Sequence, residues 1–285
     1  MKTATRPLVA YRKACAERKN RLMYSRMTKP LIMGVLNVTP DSFSDGGQFM
    51  GMEKALARAK EMEREGADII DIGGESTGPK SKLVGVEEEY SRIIPVVRAI
   101  RKRSQIPISI DTYKSDIAEA ALKAGANMIN DVTALRGDPR MGEIIARYRC
   151  QVVLMYAKDK TPRTTLKKKR YADIIQTISE FWKKRIAYAR THGIKKPQII
   201  LDPGLGHFVS AVPKYSFEII ARLHELTYLG YQILIGISRK SFLGGEIDSR
   251  DERGLPIQVI AALNGARILR THEVKKLYDL LQTIS

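Results

Sequence analysis

The chain has 285 residues and a formal net charge of +18, and hydrophobic residues make up 44% of it. This hydrophobic content is too high for a disordered chain, and the sequence contains no apolar run of the roughly 20 residues that span a bilayer. Two cysteines, Cys15 and Cys150, are too few for a disulfide framework or a metal cluster. We therefore expect a folded cytoplasmic protein without membrane contact.

The positive charge is concentrated in two segments. Residues 1–29 contain nine Lys or Arg residues and one acid, Glu17, which gives this basic N-terminal extension a net charge of +8. A second run, residues 167–170 (KKKR), is predicted to open a helix. Charge runs usually lie in water, and no known nucleic-acid-binding pattern accompanies these two. We expect solvated charge rather than a nucleic-acid partner, and a folded domain over residues 30–285.

From residue 31 onwards, short apolar runs alternate with amphipathic stretches of helix length. The predicted strands are residues 31–36, 68–72, 106–110, 127–130, 151–155, 198–201, 232–235 and 266–269. The longest predicted helices are residues 53–65, 87–103 and 173–191. Eight such repeats in a chain of this length predict a single-domain α/β fold, the (β/α)₈ TIM barrel. A doubly wound open sheet is the alternative, although the first strand lacks a Gly-rich dinucleotide fingerprint.

Polar side chains follow every predicted strand, at the barrel end where active sites form. They are Asn37, Glu75 to Thr77, Asp111, Asn130, Tyr156, Asp202, Ser238 to Ser241, and Arg270 to His272. Each one alone has an ordinary explanation, because an Asp after a strand is often the N-cap of the next helix. Their joint position at one mouth is what predicts a site.

The chemistry of these side chains divides into two groups. Asp111, Asn130, Asp202 and Lys240 offer the mixed donors and acceptors that can saturate the edge of a flat, nitrogen-rich heterocycle. Asn37, Arg270 and His272 are suited to a phosphate or pyrophosphate, and the amide oxygen of Asn37 could also bind Mg²⁺. The residues therefore predict a pocket with a heterocycle at one end and a polyphosphate at the other.

Seven motifs, in order, resemble the signatures of the dihydropteroate synthases. They are residues 34–47 (GVLNVTPDSFSDGG), 71–77 (DIGGEST), 109–112 (SIDT), 130–132 (NDV), 201–204 (LDPG), 238–241 (SRKS) and 270–272 (RTH). The resemblance extends over residues 31–280. It implies the condensation of 6-hydroxymethyl-7,8-dihydropterin pyrophosphate with 4-aminobenzoate, by a dissociative reaction in which pyrophosphate leaves first.

The resemblance also implies a role for each site residue. Asp111, Asn130, Asp202 and Lys240 would hold the pterin, with Arg270 stacked on its ring. Asn37, Arg270 and His272 would hold the pyrophosphate, with Mg²⁺ near Asn37, while Thr77 and Ser241 would place the aminobenzoate. Phe43 and Asp45 would belong to a loop that closes over the reacting centre, so that Asp111, Asp202, Lys240, Phe43 and Asp45 form the catalytic set. Members of this family are usually homodimers.

Three departures from the family pattern lie on the aminobenzoate side. Gly78 stands where the family usually has an arginine, and Lys80 or Lys82 could replace that cation; Tyr156 stands where it often has histidine. Residues 206–210 (GHFVS) replace the usual segment after the DPG motif. These changes predict altered affinity for aminobenzoate or for sulfonamides. Two alternatives stay open: a methyltetrahydrofolate–corrinoid methyltransferase, and a non-catalytic barrel that binds pterin or nucleic acid.

Overall fold

The computed structural model of the protein describes residues 29–38, 47–79 and 81–283. Strands β1 to β8, in chain order, are Leu31–Asn37, Ile69–Gly73, Ile108–Asp111, Met128–Asp131, Gln151–Met155, Ile199–Asp202, Gln232–Gly236 and Ile268–Thr271. All eight predicted strands are confirmed, each within two residues of its predicted start and end. Most of the basic extension, together with Phe43, Asp45 and Lys80, lies outside the described residues.

Helices alternate with the strands throughout the described part of the chain. Helices α1 to α8 are Gly47–Arg64, Val86–Arg101, Ser115–Lys123, Met141–Tyr148, Ile174–Thr191, Lys214–Ala221, Ile247–Leu263 and Val274–Gln282. The helix predicted from the basic run 167–170 in fact begins later, at Ile174. Asp173 caps it by accepting hydrogen bonds from the backbone N–H groups of Ile175 and Gln176, so the basic run belongs to the preceding loop.

The eight strands form one closed parallel barrel in the order β1 to β8. The last strand pairs with the first, and Arg270 of β8 lies opposite both Met33 of β1 and Gly236 of β7. The predicted TIM barrel is therefore confirmed, and the open doubly wound sheet is excluded. A closed barrel brings the carboxyl ends of all eight strands to one rim, where its loops can build a site.

Apolar side chains fill the barrel interior towards the amino ends of the strands, and we call this layer the apolar plug. Seven strands contribute one side chain each: Met33, Ile69, Met128, Val153, Ile200, Leu234 and Ile268. A larger apolar layer lies between the strands and the surrounding helices, where Trp182 is fully buried. Because the interior is packed below, a ligand can enter only from the rim formed by the carboxyl ends of the strands.

Helices α1 and α3 each end in a short glycine turn that lies shortly before the next strand. Gly66 after α1 and Gly125 after α3 have φ values of +99° and +109°, which an L side chain rarely adopts. At Gly66 a Cβ would also lie 2.3 Å from the ring of Tyr278.

Among the described residues, no helix is both long enough and apolar enough to cross a membrane. Cys150 is buried and free, and Cys15 lies outside the described residues.

Candidate active site at the barrel mouth

The polar site begins one step above the apolar plug. Side chains point into a barrel at every second residue of a strand, so the residues two positions after the plug also face inward. They are Val35, Asp71, Asn130, Met155, Asp202, Gly236 and Arg270. The interior therefore changes from wholly apolar to strongly polar within one repeat. Three of these inward positions carry an ionisable side chain.

Arg270 joins the acidic side chains of the deep end. Its Nε donates to Asp71 Oδ2 at 2.6 Å, and its Nη2 donates to Asp111 Oδ2 at 2.9 Å. Asn130 Nδ2 donates to the same Asp71 oxygen at 3.2 Å. The structure thus brings together three of the predicted residues, Asp111, Asn130 and Arg270, around a carboxylate that the sequence analysis left without a role.

Asp71 is fully buried, and its Oδ1 has no hydrogen-bond partner among the described residues. A buried acceptor without a partner is costly, so this oxygen is available to a ligand donor or a bound water. Asp71 was overlooked because it lies inside an apolar strand rather than after it. The signal was nevertheless in the sequence, since an acid within a buried strand requires a specific partner.

Asp202 and Lys240 occupy the other side of the same cavity. Burial raises the pKa of Asp202 to about 6, against a backbone hydrogen bond from Gly204 that favours the charged form. Burial lowers the pKa of Lys240 to about 8, while Asp202 opposes that change. The ammonium of Lys240 lies 4.7 Å from the centre of the Phe208 ring. These two groups form a water-poor, oppositely charged pair beside an aromatic face.

Asp111 completes the acidic set. Burial raises its pKa to about 7, with Arg270 lowering it and the nearby Asp71 charge raising it again. Three carboxylates therefore share one small region with Arg270 and Lys240. Such an arrangement is typical of functional sites, where burial and like charges shift the pKa values of several groups together.

A second group of side chains lies at the β1–β8 side of the mouth. Asn37 Nδ2 lies 3.4 Å from His272 Nε2, and His272 Nδ1 lies 2.8 Å from Ser238 Oγ. The Ser238 hydroxyl donates to Asp251, which Arg239 also contacts. Burial, with Arg239 and Arg270 nearby, lowers the pKa of His272 to about 3, and an anion bound beside the ring would raise it again. The predicted pair of Asn37 and His272 is therefore brought together.

A groove of about 1310 Å³ opens from Lys240 and Ser241 towards solvent. One wall is formed by the β2–α2 loop and includes Ser76 and Gly78, and the facing walls include Thr164 and Phe208. Ser241 is one of the residues that line this groove. Thr77 is not among the lining residues, but both of its neighbours are, and its carbonyl accepts a hydrogen bond from Thr164.

The segment between β5 and α5 braces this groove from the side. Lys158 is almost fully buried, and its ammonium donates to Asp159, to Thr164 Oγ1 and to the carbonyl of His207. Tyr156, which stands where the family often has histidine, donates to Tyr171 at 3.1 Å, and Tyr171 donates to the carbonyl of Val209 at 2.6 Å. Departures from the family pattern in the β5 and β6 loops are thus physically linked.

Asp131, next to Asn130, has a structural task. Its carboxylate accepts hydrogen bonds from the Thr133 backbone and hydroxyl and from the Leu135 backbone. Ala134 and Leu135 both have positive φ values, which non-glycine residues adopt at a cost. Asp131 therefore holds a strained turn that fixes the end of β4 beside the cavity.

A polar cavity at the mouth of a parallel barrel, lined by buried acids and by the cations of Arg270 and Lys240, is typical of a ligand-binding (β/α)₈ enzyme. Comparison with known proteins specifies the class further. The family model described as pterin binding enzyme matches residues 33–272, which is most of the chain. The chain therefore belongs to the family of pterin-binding enzymes.

Relatives within this family carry a more specific name. The dihydropteroate synthase of Clostridium beijerinckii is 41% identical over 248 residues, which cover 85% of this chain and 88% of that protein. The dihydropteroate synthase of Clostridium difficile, solved in the presence of pteroic acid, is 42% identical with a TM-score of 0.83, and the match covers 90% of this chain and 96% of that one. The Xanthomonas albilineans dihydropteroate synthase, solved with 4-aminobenzoic acid, is 38% identical with a TM-score of 0.83, and covers 90% and 92%.

Proposed function

We propose that this chain is a dihydropteroate synthase, which joins 6-hydroxymethyl-7,8-dihydropterin pyrophosphate to 4-aminobenzoate and releases pyrophosphate. The observation that carries the proposal is the Asp71–Arg270–Asp111 cluster, which shares the barrel mouth with Asn130, Asp202 and Lys240 and with the Asn37–His272 pair. The relatives named above support the same activity. A coupled assay with both substrates and Mg²⁺ tests it, and the absence of dihydropteroate would overturn it.

The pterin end of the substrate fits the acidic cavity. A pterin carries ring N–H and amino donors on one edge, and carboxylates accept pairs of such donors. Asp202 and Asn130 supply acceptors and an amide donor there, Lys240 supplies a donor for the ring carbonyl, and Asp71 Oδ1 supplies an acceptor that lacks a partner within the described residues. We propose that these side chains orient the ring and that the guanidinium of Arg270 stacks on its face.

The first step breaks the bond between the pterin methylene carbon and its pyrophosphate oxygen. The bonding electrons leave with pyrophosphate, and the methylene carbon becomes part of a delocalised cation. The carboxylates of Asp111 and Asp202 stabilise this cation in a cavity where burial strengthens electrostatic interactions. Arg270 and His272 would hold the departing anion.

The chemistry of the residues near Asn37 fits a magnesium ion that would also contact the substrate. A Cβ placed on Gly73 would lie 3.8 Å from Asn37 Oδ1 and 3.9 Å from Asp111 Oδ2, so both oxygens border the space beside Gly73. No cluster of three or more acidic, His or Cys ligands occurs among the described residues. Mg²⁺ often takes one or two protein ligands and completes its shell with phosphate oxygens and water. We propose that Asn37 would hold it; once bound, Mg²⁺ would offset the charge of the leaving pyrophosphate.

The second step forms the new bond. The amine of aminobenzoate, which is neutral at pH 7, donates its lone pair to the methylene carbon and then loses one proton to water or pyrophosphate. We propose that Ser241 and the β2–α2 loop with Thr77 place this substrate in the groove. Neither a strong base nor a covalent enzyme intermediate is required. Phe43 and Asp45 are proposed to complete the closed site.

Two other activities would use the same acids. A methyltetrahydrofolate–corrinoid methyltransferase would bind a pterin but has little need of the Ser238–His272–Asn37 arrangement, and methyl transfer to a cobalamin protein would reveal it. A non-catalytic barrel is not favoured, since every predicted binding residue within the described part of the chain is retained. RNA binding that disappears on deletion of residues 1–29 would indicate an additional function.

We further propose a cytoplasmic homodimer. Phe217, Ile260 and Leu280, on helices α6, α7 and α8, are all more than a third exposed, which suits a helical interface. Sedimentation at micromolar concentration tests this state.

The departures from the family pattern around the groove also lead us to propose altered sensitivity to sulfonamides. An inhibition curve with sulfamethoxazole that shows ordinary sensitivity would contradict it.

A further inference from the structure

A buried ion-pair cluster lies behind the aminobenzoate side of the groove. Lys114 donates to Glu75 Oε2 at 2.6 Å, to the carbonyl of Val84 at 2.7 Å and to the carboxylate of Glu89. Arg163 donates to Glu75 from the opposite side. The side chains of Glu75 and Glu89 are only 3% and 1% exposed. The carboxylates of Glu75 and Glu89 are thus paired with the cations of Lys114 and Arg163. Loss of any one of these four side chains would leave a charge in the cluster without its partner.

Arg163 differs from the other members because it comes from the segment between β5 and α5, 88 residues away from Glu75. Its Nε donates to the carbonyl and the hydroxyl of Ser81 at 3.1 Å, and its Nη2 also donates to the carbonyl of Lys82 at 2.5 Å. One guanidinium therefore ties together both ends of the β2–α2 loop. The next residue, Thr164, reinforces the tie through its backbone N–H, which donates to the carbonyl of Thr77.

The loop held in this way forms a wall of the groove. Ser76, Gly78 and Pro79 of this loop line the groove. Thr164, from the segment between β5 and α5, lines it as well. The loop has glycine at position 78, where the resemblance noted in the sequence implies an arginine, so it carries no guanidinium of its own there. The cation comes instead from Arg163 in the segment between β5 and α5, which contacts this loop directly.

We propose that Arg163 is a positioning residue for the aminobenzoate subsite, because it holds the β2–α2 loop in the conformation that receives this substrate. The inference rests on the proposed function. Arg163 acts through Glu75 and the loop backbone rather than by touching the reacting atoms. It should therefore influence the affinity for aminobenzoate more than that for the pterin, because its hydrogen bonds go to the β2–α2 loop and not to Asp71, Asp111 or Asp202.

Arg163→Gln tests the proposal by separating the two substrates. We expect the KM for aminobenzoate to rise about tenfold, as the loss of charge-assisted hydrogen bonds predicts, while kcat and the KM for the pterin pyrophosphate change less than about twofold. Arg101→Gln is the matched control. Arg101 likewise ties loops together, through the carbonyls of Ser104, Ile106 and Gly125, but at the opposite end of the barrel. It should lower thermal stability without changing either KM.

A double-mutant cycle shows whether Arg163 acts through Glu75. If it does, Glu75→Gln combined with Arg163→Gln should raise the KM for aminobenzoate no more than the stronger single change does. Arg163→Lys keeps the charge but loses the planar fork, so it provides a milder variant if Arg163→Gln does not fold; we expect an increase of about threefold. Additive effects, or equal changes in both KM values, would overturn the proposal.

Calorimetric titration of aminobenzoate into protein saturated with a pterin ligand separates this inference from the proposed function. Wild-type protein that forms no dihydropteroate would refute the function. Aminobenzoate binding that weakens about tenfold in Arg163→Gln would still support the positioning role, on the same basis of lost charge-assisted bonds. Unchanged binding in that variant would refute the role, whether or not the wild type turns over.

Discussion

The carboxylate of Asp71 accepts a 2.6 Å hydrogen bond from Nε of Arg270, although 199 residues separate the two in the chain. Asp71 is fully buried, and Arg270 also contacts Asp111, so this ion pair connects the second, third and eighth strands. An ion pair at this depth fixes the position of the guanidinium before any substrate arrives. Five predictions follow from this and related contacts.

Removal of the Asp71 charge should destabilise the protein as well as the site. Asp71→Asn leaves Arg270 with one carboxylate fewer in a buried environment, and breaking such a pair typically costs about 3 kcal/mol or more. Urea denaturation measures the change. Asp116→Asn, which breaks an exposed pair with Arg140, is the control and should cost less than about 1 kcal/mol.

Asp111→Ala should reduce turnover more than it reduces stability. The Asp111 carboxylate accepts a hydrogen bond from the Arg270 guanidinium. We propose that this carboxylate stabilises the developing pterin cation. Loss of one preorganised electrostatic group commonly lowers kcat by about a hundredfold or more. Steady-state kinetics of the folded variant checks this, and a kcat within a few fold of wild type would contradict the assigned role.

The raised pKa of Asp202 predicts a particular dependence of stability on pH. Its pKa is about 6 in the folded protein and 3.8 as the reference value, so the folded state binds more protons between these values. Stability from this group is therefore present below pH 4 and lost as pH rises through 6. Relative to Asp202→Asn, the wild type should lose about 2 kcal/mol between pH 4 and 7. A constant difference in urea denaturation across that range would refute it.

Ser238 should orient His272 for the pyrophosphate. The hydroxyl bridges His272 Nδ1 and Asp251, which leaves Nε2 directed towards Asn37. Ser238→Ala should lower kcat/KM for the pterin pyrophosphate about fivefold, as expected for one lost neutral hydrogen bond, without changing the KM for aminobenzoate. Ser91→Ala, which removes a hydroxyl on the surface of α2, should have no effect.

Chelation should separate metal chemistry from folding. If Asn37 and the substrate share Mg²⁺, dialysis against EDTA should abolish turnover, and added Mg²⁺ should restore it. The unfolding temperature should stay unchanged, because no preformed acidic metal cluster occurs in the described part of the chain. Full activity in EDTA would contradict the role given to Asn37.

The sequence predicted the strands well because buried parallel strands have a strong local signature, and the polar residues that follow them were found by position alone. Asp111, Asn130, Asp202, Arg270 and His272 could be located in this way. The amphipathic stretch 173–191 predicted α5 within one residue, but the KKKR run was wrongly assigned to the helix start, because Asp173 caps the helix after that run. Charge alone does not fix a helix boundary, while a capping side chain does.

The remaining features depend on contacts between distant loops. Arg163 and Glu75 meet only because two loops bend towards each other above the barrel, and no local pattern encodes that approach. The role of Asp71 was not predicted because it depends on Arg270, which belongs to the strand β8 that pairs with β1. Roles for Phe43 and Asp45 stay predictions, since these residues lie outside the described part of the chain.

The ladder between β1 and β8 has a consequence during synthesis of the protein. Residues 31–34 pair with residues 268–271, so one side of the first strand has no native neighbour until almost the whole chain has left the ribosome. Contacts between such distant segments form slowly. The arginine that completes the deep cavity belongs to that final strand, so a nascent chain that stops before residue 268 cannot yet assemble the binding site.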